Sequence, residues 1–380
     1  MVYVRQCATY DKEKILETVR DILDRSGVLK DISGLTIAVK PNLIARKKPE
    51  AAATSHPSIV WAVCKLCREA GAKRVVIAES PGGLYEAAIL KSWYKVCGIE
   101  EAAKESGAEL NFDTTVTEVK NPGAKYLKKL KVITPLAEAD RIISISKLKT
   151  HGMMTYTGAV KNMFGAIAGL EKAEYHLQLS DYDDFADCII DIFHAVKPVF
   201  NIVDAVVGMH RDGPTAGDPY PLNTILAGED AFELDMIGAK LVKADPMRIP
   251  VLRQAFARGL VNTDVNAIEL SGGALKQADK FIIKYNDSLK RLHFADGVFG
   301  KMLSWAVKPR PVFSKKKCRA CGECVKCCPA KVITLTEGER KYAKVNLDGC
   351  IRCYCCQELC PFKAVSIKRP LLNKIAIRRR

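Results

Sequence analysis

Two cysteine-rich runs constrain this chain more than any other feature: CRACGECVKCCP at 318–329 and CIRCYCCQELCP at 350–361. Each follows the spacing C-x2-C-x2-C-x3-C-P, and the second lies 32 residues after the first. A [4Fe-4S] cubane needs such local spacing, because a short looping backbone must aim three thiolates at one cluster. The duplicated spacing therefore predicts two cubanes.

The fourth cysteine of each run is expected to ligate the other cluster, which assigns four ligands to each. Cluster 1 takes Cys318, Cys321, Cys324 and Cys360, and cluster 2 takes Cys350, Cys353, Cys356 and Cys328. Zinc is the competing metal for paired C-x2-C motifs. Eight ligands in this order, each run closed by a proline, favour iron and sulfur. Two further thiols, Cys327 and Cys355, fall outside the pattern; they could tune or ligate a cluster, but we expect bystander packing.

The residues that flank the two runs repeat as well, since CPAKVITL is answered by CPFKAVSI. Between the runs, VITLTEGERKYAKVNL alternates as two short strands around a turn. This region resembles a bacterial-type two-cluster ferredoxin domain, a small α+β unit expected over 314–370. A connector over 301–313 is predicted before it, and a basic tail over 371–380 after it.

The net charge of +16 is concentrated in the cysteine-rich region. Residues 310–380 hold 18 Lys and Arg against 5 Asp and Glu, whereas the preceding residues hold 41 against 38. Two oxidised clusters, each of about −2 with its thiolates, leave this region basic. The charge suits an acidic electron donor such as a ferredoxin or flavodoxin, and a merely solvated surface explains it equally well. Nucleic acid ranks below both, because no nucleic-acid-binding motif accompanies the charge.

Length and composition are those of a globular protein of two or three domains. We find no signal peptide and no apolar run long enough to cross a bilayer, so we expect a cytoplasmic protein. Clustered cysteines in that compartment more often bind metal than form disulfides.

Residues 1–300 alternate buried apolar runs with amphipathic stretches, which predicts an α/β domain: a mostly parallel sheet with helices on both faces. The predicted strands are LTIAVK (35–40), RVVIAES (74–80), RIISISK (141–147), VFNIVDAVVG (199–208) and NTILAG (223–228). The predicted helices span 12–27, 57–71, 185–197 and 231–243.

Polar or glycine-bearing segments follow four of these strands, and ligands of open parallel sheets bind outside the carboxyl ends of the strands. We therefore expect one crevice there for a small anion. Its candidate residues are Lys40, Asn42, Ser80, Gly82, Gly83, Lys147, Lys149, His151, Thr157, Gly158, Lys161, Asn162 and Asp204.

Each group of candidates has a chemical reason and a plainer alternative. A helix start at Thr157 and Gly158, near lysine ammonium groups, suits a carboxylate or phosphate. Taken one at a time, each of these lysines more often has an ammonium group that is simply exposed to solvent. His151 can transfer protons near neutral pH or make a structural hydrogen bond. Asp204 is either a satisfied buried carboxylate or a site residue. We find no G-x-G-x-x-G and no P-loop, so no nucleotide is implied.

The KPN, ESPGG, SKLKTHGMMTYTGAVKNMFG and VDAVVGMHRDGPTAGDP segments resemble the "domain of unknown function" family numbered 362, often fused to a C-terminal ferredoxin domain. The resemblance implies an iron–sulfur protein of anaerobes or their relatives, and it brings no reaction. Our hypothesis is a ferredoxin-linked oxidoreductase that reduces a small anion, with Lys149 and Lys161 holding it and His151 managing protons. The alternative is an electron-relay subunit whose α/β domain docks a partner redox enzyme.

Overall fold

The computed structural model describes residues 1–285 and 308–369. Within them, an α/β domain precedes a small cysteine-rich module. Residues 301–307 of the predicted connector and the whole predicted tail, 371–380, lie outside the described residues. In the described part of the chain, no helix has both the length and the apolar character that a membrane crossing requires.

One nine-stranded sheet forms the centre of the α/β domain. Its strands are β1 Val2–Gln6, β2 Thr36–Lys40, β3 Arg74–Ile77, β4 Glu109–Leu110, β7 Arg141–His151, β8 Thr155–Thr157, β9 Phe200–His210, β10 Asp218–Gly228 and β11 Leu270–Gly272. Their order in the sheet is β11-β1-β10-β9-β7-β2-β3-β4, and β8 pairs with the far end of β7. The run from β4 to β9 is parallel, whereas β10 pairs antiparallel with both β9 and β1. The predicted mostly parallel sheet is confirmed. A separate hairpin joins β5 Val116–Lys120 to β6 Lys129–Ile133.

Helices cover both faces of the sheet, as predicted. They are α1 Lys12–Ser26, α2 Pro57–Glu69, α3 Ala87–Val96, α4 Ile99–Ser106, α5 Thr134–Ala137, α6 Ala159–Asn162, α7 Glu171–Gln178, α8 Tyr182–Val196, α9 Ala231–Leu241 and α10 Pro250–Ala257. Strand β2 shows how one strand serves two cores: Ile37 and Val39 pack with the side chains of α1 and α2, whereas Ala38 packs with those of α8 and α9. This alternation follows from the two-residue period of a strand.

The polar segment after residue 147 differs from expectation, because it is strand and not loop. β7 continues through Lys147, Lys149 and His151, pairs with β9, and then turns back into β8. Charged residues alternate with Leu148 and Thr150, which is the two-residue period of a strand. The charges obscured this period, since buried strands are usually apolar.

The cysteine-rich module repeats its own structure at the 32-residue offset. Helix α11 Glu323–Lys326 corresponds to α12 Cys355–Glu358, and strand β13 Ile333–Leu335 corresponds to β15 Val365–Lys368. β13 pairs with β14 Ala343–Val345, the predicted hairpin, and β15 pairs with β12 Arg310–Phe313. The last four residues of the predicted connector, 310–313, thus form part of the module's sheet.

Candidate functional site

The cysteine-rich module docks on the α/β domain at the carboxyl ends of the parallel strands. Its helix α12 makes two hydrogen bonds with the β9–β10 loop: Gln357 Nε2 donates to Asp212 O at 2.9 Å, and Thr215 Oγ1 donates to Glu358 O at 2.8 Å. Tyr354, 1% exposed, joins the hydrophobic core of the α/β domain. The predicted crevice is therefore covered by the module.

Two chambers inside the module are lined by the cysteines in the groups of four that the spacing predicts. Chamber 1 is lined by Cys318, Cys321, Cys324 and Cys360, and chamber 2 by Cys328, Cys350, Cys353 and Cys356, with Cys355 as a fifth cysteine. Backbone N–H groups point at two sulfurs of chamber 1: Ala343 N donates to Cys318 Sγ and Ala364 N to Cys360 Sγ, both at 3.3 Å. Thiolate donors with N–H···S bonds are the surroundings that iron–sulfur clusters require. These residues fit two cubanes.

The two chambers differ in their exposure. Cys321 of chamber 1 is exposed, whereas Cys353 of chamber 2 is 8% exposed and packs in the core of the α/β domain. Chamber 1 is thus the outer chamber, and chamber 2 adjoins the α/β domain.

A cavity of about 100 Å³ lies between the module and the α/β domain, and we call it the interface cavity. A single water needs roughly 10–15 Å³ on this measure, so there is room for a small molecule. The module contributes Cys327, Cys355, Glu358 and Leu359 to its wall. The polar residues from the α/β domain are Asn42, Glu79, Ser80, Thr157, Lys161, Asn162, Lys172 and His176.

Two lysines supply positive charge to the interface cavity. Lys161 is 8% exposed, and among the described residues its ammonium contacts only the Phe164 ring, 5.4 Å from the centroid. Lys172 Nζ donates to Ser80 O, to Ser80 Oγ at 3.1 Å and to Pro81 O at 3.1 Å. Burial lowers the pKa of Lys161, and burial lowers that of Lys172 to about 7. No ion pair to Lys161 forms among the described residues, although the ionised Glu358 carboxylate on the same wall attracts its charge.

Three buried polar atoms on the cavity wall lack hydrogen bonds within the described part of the chain: Thr157 Oγ1, His176 Nδ1 and Glu358 Oε1. Buried polar groups in proteins are nearly always paired, so each unpaired one needs a reason. A polar ligand in the interface cavity would supply the missing partners.

His151 lies beside the cavity wall and not on it. Its Nδ1 accepts from Met153 N and Met154 N, both at 3.1 Å, so the neutral ring carries its proton on Nε2. Nε2 is 3.1 Å from Glu358 Oε1, although neither atom has a well-formed hydrogen bond among the described residues. Burial lowers the pKa of His151 to about 4, with neighbouring Lys161 acting in the same direction. The ring is therefore neutral near pH 7.

Asn42 and Asn162 connect the cavity wall to the strand ends. Asn42 Nδ2 donates to Asn162 Oδ1 at 3.0 Å, and Asn162 Nδ2 donates to Ser144 Oγ at 2.9 Å. Lys149 Nζ donates to Asn42 Oδ1 at 2.5 Å and to Ala53 O. Lys149 thus supports the wall from behind and does not line it.

Two predicted site residues, Lys147 and Asp204, pair with each other away from the cavity. Lys147 Nζ lies 2.8 Å from Asp204 Oδ2 and donates to the Tyr10 hydroxyl at 2.8 Å. Asp204 also accepts from Tyr10 OH at 2.8 Å and from His56 N at 2.9 Å. These contacts favour the reading of Asp204 as a satisfied buried carboxylate. Lys40 is similarly committed, because its Nζ lies 2.7 Å from Glu79 Oε2.

The start of α6, predicted to hold the anion, is capped by a side chain of the protein itself. The Asp235 carboxylate accepts from Ala159 N at 2.7 Å and from Val160 N at 3.1 Å. A Cβ on Gly158 would lie 1.9 Å from Asp235 Oδ1. These N–H groups are therefore not available to a ligand, although the Thr157 hydroxyl still lines the cavity.

The ESPGG segment lies against the module. Gly82 and Gly83 line the cavity, and Ser80 Oγ accepts from Gly169 N at 3.0 Å. A Cβ on Gly82 would lie 2.8 Å from Leu359 Cδ2. Glycine at 82 thus permits the close approach of the two domains.

Sequence reasoning missed Lys172, His176 and Glu358 as cavity residues, and it expected bystander packing for Cys327 and Cys355. The sequence did mark Cys327 and Cys355 as unusual, because the ligand spacing of the repeat assigns these two cysteines to neither cluster. No local pattern marks the other three.

Comparison with known proteins agrees with this architecture. The family model "domain of unknown function (DUF362)" matches residues 37–240, and a "4Fe-4S dicluster domain" matches residues 317–364. The thylakoid-associated protein sll1697 of Synechocystis is 26% identical over 261 residues, 66% of this chain and 77% of that protein. The Rpo3 subunit of DNA-directed RNA polymerase from Methanosarcina acetivorans is 32% identical over 60 residues, 16% of this chain and 23% of that protein.

Among solved structures, the lactate racemase apoprotein from Thermoanaerobacterium thermosaccharolyticum is similar at a TM-score of 0.40 and 13% identity. That match covers 63% of this chain and 56% of the other, so it spans little more than half of that protein. The dicluster domain, with its two cysteine-lined chambers, gives this chain two [4Fe-4S] clusters and an iron–sulfur electron-transfer role. With more than half of its length matched by the first model, the chain belongs to the DUF362 family and carries a 4Fe-4S dicluster domain behind the family domain.

Proposed function

We propose that the protein is a ferredoxin-linked reductase whose small anionic substrate binds in the interface cavity. One observation carries the proposal: the cavity is walled on one side by the cluster-bearing module and on the other by Lys161, whose ammonium makes no ion pair among the described residues. Electron source and anion site would therefore face the same cavity.

Electrons would follow the order of exposure of the clusters. The basic module suits an acidic donor such as a ferredoxin or flavodoxin, because opposite charge raises the rate of encounter. Exposed Cys321 and the other chamber 1 ligands would hold a cluster near the surface, and Cys353 with the other chamber 2 ligands would hold one against the α/β core. Clusters held in this order would supply one-electron transfer from the surface inward. Fusion in one chain keeps the donor cluster at high effective concentration beside the site.

The anion would be held by polar groups of the α/β wall. Lys161 supplies a positive charge, the Thr157 hydroxyl is free of other hydrogen bonds among the described residues, and the Asn42–Asn162 pair adds polar surface on the same wall. A buried ammonium that makes no ion pair is costly, so binding an anion beside it is favourable. Glu358 on the wall, with His151 directly behind it, would exchange protons with a bound molecule.

Replacing Lys161 with Met should weaken anion binding at least tenfold, because a hydrogen bond to a charged group contributes about 1.5–3 kcal/mol. Inorganic phosphate, acetate and malonate are suitable probes, measured anaerobically by calorimetry. Lys104→Met, at an exposed position of α4, is the matched control. Iron content and visible absorption should stay unchanged in both variants.

Equal affinities in Lys161→Met and the unaltered protein, or no binding of any probe, would contradict the anion site. Full electron flow from donor to a co-purifying enzyme in Lys161→Met would favour the relay alternative. Mass spectrometry of small molecules released on denaturing anaerobically purified protein would identify a natural ligand directly.

Anion affinity should fall as the pH rises above about 7. Burial lowers the pKa of Lys161, and burial lowers that of Lys172 to about 7, so above this pH the free cavity loses protons. A bound anion stabilises the ammonium form, and binding must then take up a proton. Affinity should drop by up to about tenfold per pH unit for each proton taken up. Titrations from pH 6 to 9, in buffers of different ionisation enthalpy, measure both affinity and proton uptake. A flat profile without proton uptake would contradict this coupling.

A further inference from the structure

The two thiols that the cluster spacing leaves over lie on the same wall. Cys327 and Cys355 both line the interface cavity, and Cys355 also lines chamber 2. Each immediately precedes a ligand of cluster 2, Cys328 or Cys356. Cys355 therefore stands between chamber 2 and the cavity, and Cys327, the other thiol outside the predicted ligand sets, faces the same cavity.

A second observation points to chemistry at this wall. Thr157 and His176, which are 3% and 4% exposed, each present a polar atom without a hydrogen bond within the described residues. Both line the same cavity as the thiols. The thiols thus face a space that is built to receive a polar molecule.

We infer that Cys327 and Cys355 form a dithiol–disulfide couple that receives electrons from cluster 2 and delivers them to the interface cavity as a pair. The inference rests on the electron-transfer role of the clusters, and it deepens the proposed function by supplying an acceptor. It does not depend on Lys161 or on the charge of the substrate.

The electron count balances with the two clusters present. The clusters held by the eight ligand cysteines would supply one electron each. Two such electrons and two protons from solvent would cleave the Cys327–Cys355 S–S bond and leave two thiols. The dithiol would close again to the disulfide by passing two electrons and two protons to a small organic oxidant bound in the cavity, which is thereby reduced. The acidic donor of the proposed function would supply the next two electrons.

Such a couple would connect one-electron carriers to a two-electron reaction. Cubanes carry single electrons, whereas reduction of most small organic molecules takes two, so an intermediate carrier is needed. A thiol pair is a two-electron carrier built from side chains. In a reducing compartment the disulfides that do form are usually transient and catalytic, which is the behaviour assigned here.

The experiment is an anaerobic redox titration of the full chain with both clusters loaded. Samples poised at successive potentials are acid-quenched, free thiols are labelled with N-ethylmaleimide, and disulfides are then reduced and given the deuterated reagent. Peptide mass spectrometry should show Cys327 and Cys355 passing together from thiol to disulfide along a two-electron Nernst curve. The cluster ligands should be labelled as thiols at every potential.

Variants separate this role from a structural one. Cys327→Ala and Cys355→Ala should each keep both clusters and their absorption yet abolish the two-electron transition. Cys188→Ala, at a buried thiol of α8 that lines neither chambers nor cavity, should keep it.

Thiols at 327 and 355 that remain free at every potential would overturn the inference. Loss of a cluster in either variant would also overturn it, because the cysteine would then be a ligand. The two proposals can fail separately. No anion binding by the unaltered protein would refute the anion site, whereas the thiol–disulfide transition is read by labelling and should persist in Lys161→Met.

Discussion

Replacing Asp204 with alanine is expected to destabilise the α/β domain by about 3–5 kcal/mol, because the change leaves the charge of Lys147 buried and unpaired. Both side chains are essentially inaccessible to solvent, at 0% and 1%. The variant also removes the acceptor of Tyr10 OH and of His56 N. Anaerobic urea unfolding followed by circular dichroism measures the loss.

The matched control for Asp204→Ala is Glu118→Ala, which breaks an exposed pair with Lys129 and should change stability by less than about 1 kcal/mol. The double variant Lys147→Met with Asp204→Leu should recover much of the loss, since it removes both charges. An Asp204→Ala protein of unchanged stability that no longer binds anion would show that Asp204 is a site residue after all.

Replacing Cys353 with alanine should remove cluster 2 and stop electron delivery to the interface cavity, while cluster 1 is still reduced by the donor. Iron content should fall from about eight to about four atoms per chain, since a cubane holds four. The EPR spectrum of the reduced protein should change from that of two interacting cubanes to that of one isolated cubane.

Cys321→Ala is the matched comparison for Cys353→Ala, because it removes a ligand of the outer cluster. Its iron content should fall equally, but reduction by the protein donor should be the slow step, since cluster 2 lies inward of cluster 1. If the two variants instead exchanged these behaviours, the proposed direction of electron flow would be reversed.

The sequence predicted the clusters and the main elements of the α/β domain because both depend on residues that lie close together in the chain. Three ligands of each cubane lie within seven residues, and the repeat supplies the fourth. The strands around Ile37, Val76 and Ile143 appeared as apolar runs, and helices such as α1 and α8 as amphipathic stretches. Where charges interrupted the apolar run, at Lys147 to His151, strand was read as loop.

The site was predicted only in part, because its groups are brought together by pairing and packing across long distances in the chain. The cavity lies at the predicted edge of the sheet, and Asn42, Lys161 and Asn162 line it there. The helix start at Gly158 looked free in the sequence, but its N–H groups bond Asp235, up to 76 residues away.

What the sequence determined by itself was which cysteines could share a cluster and which faces of each strand and helix would be buried, since both depend on residues a few positions apart. Only the tertiary structure decided which charges were neutralised and which were left free. Lys147 meets Asp204, 57 residues away, whereas Lys161 meets a cavity wall formed by the docked module. A short sequence pattern shows that a lysine is charged. It does not show which group the lysine contacts, because that depends on the register of the sheet and on where the module docks.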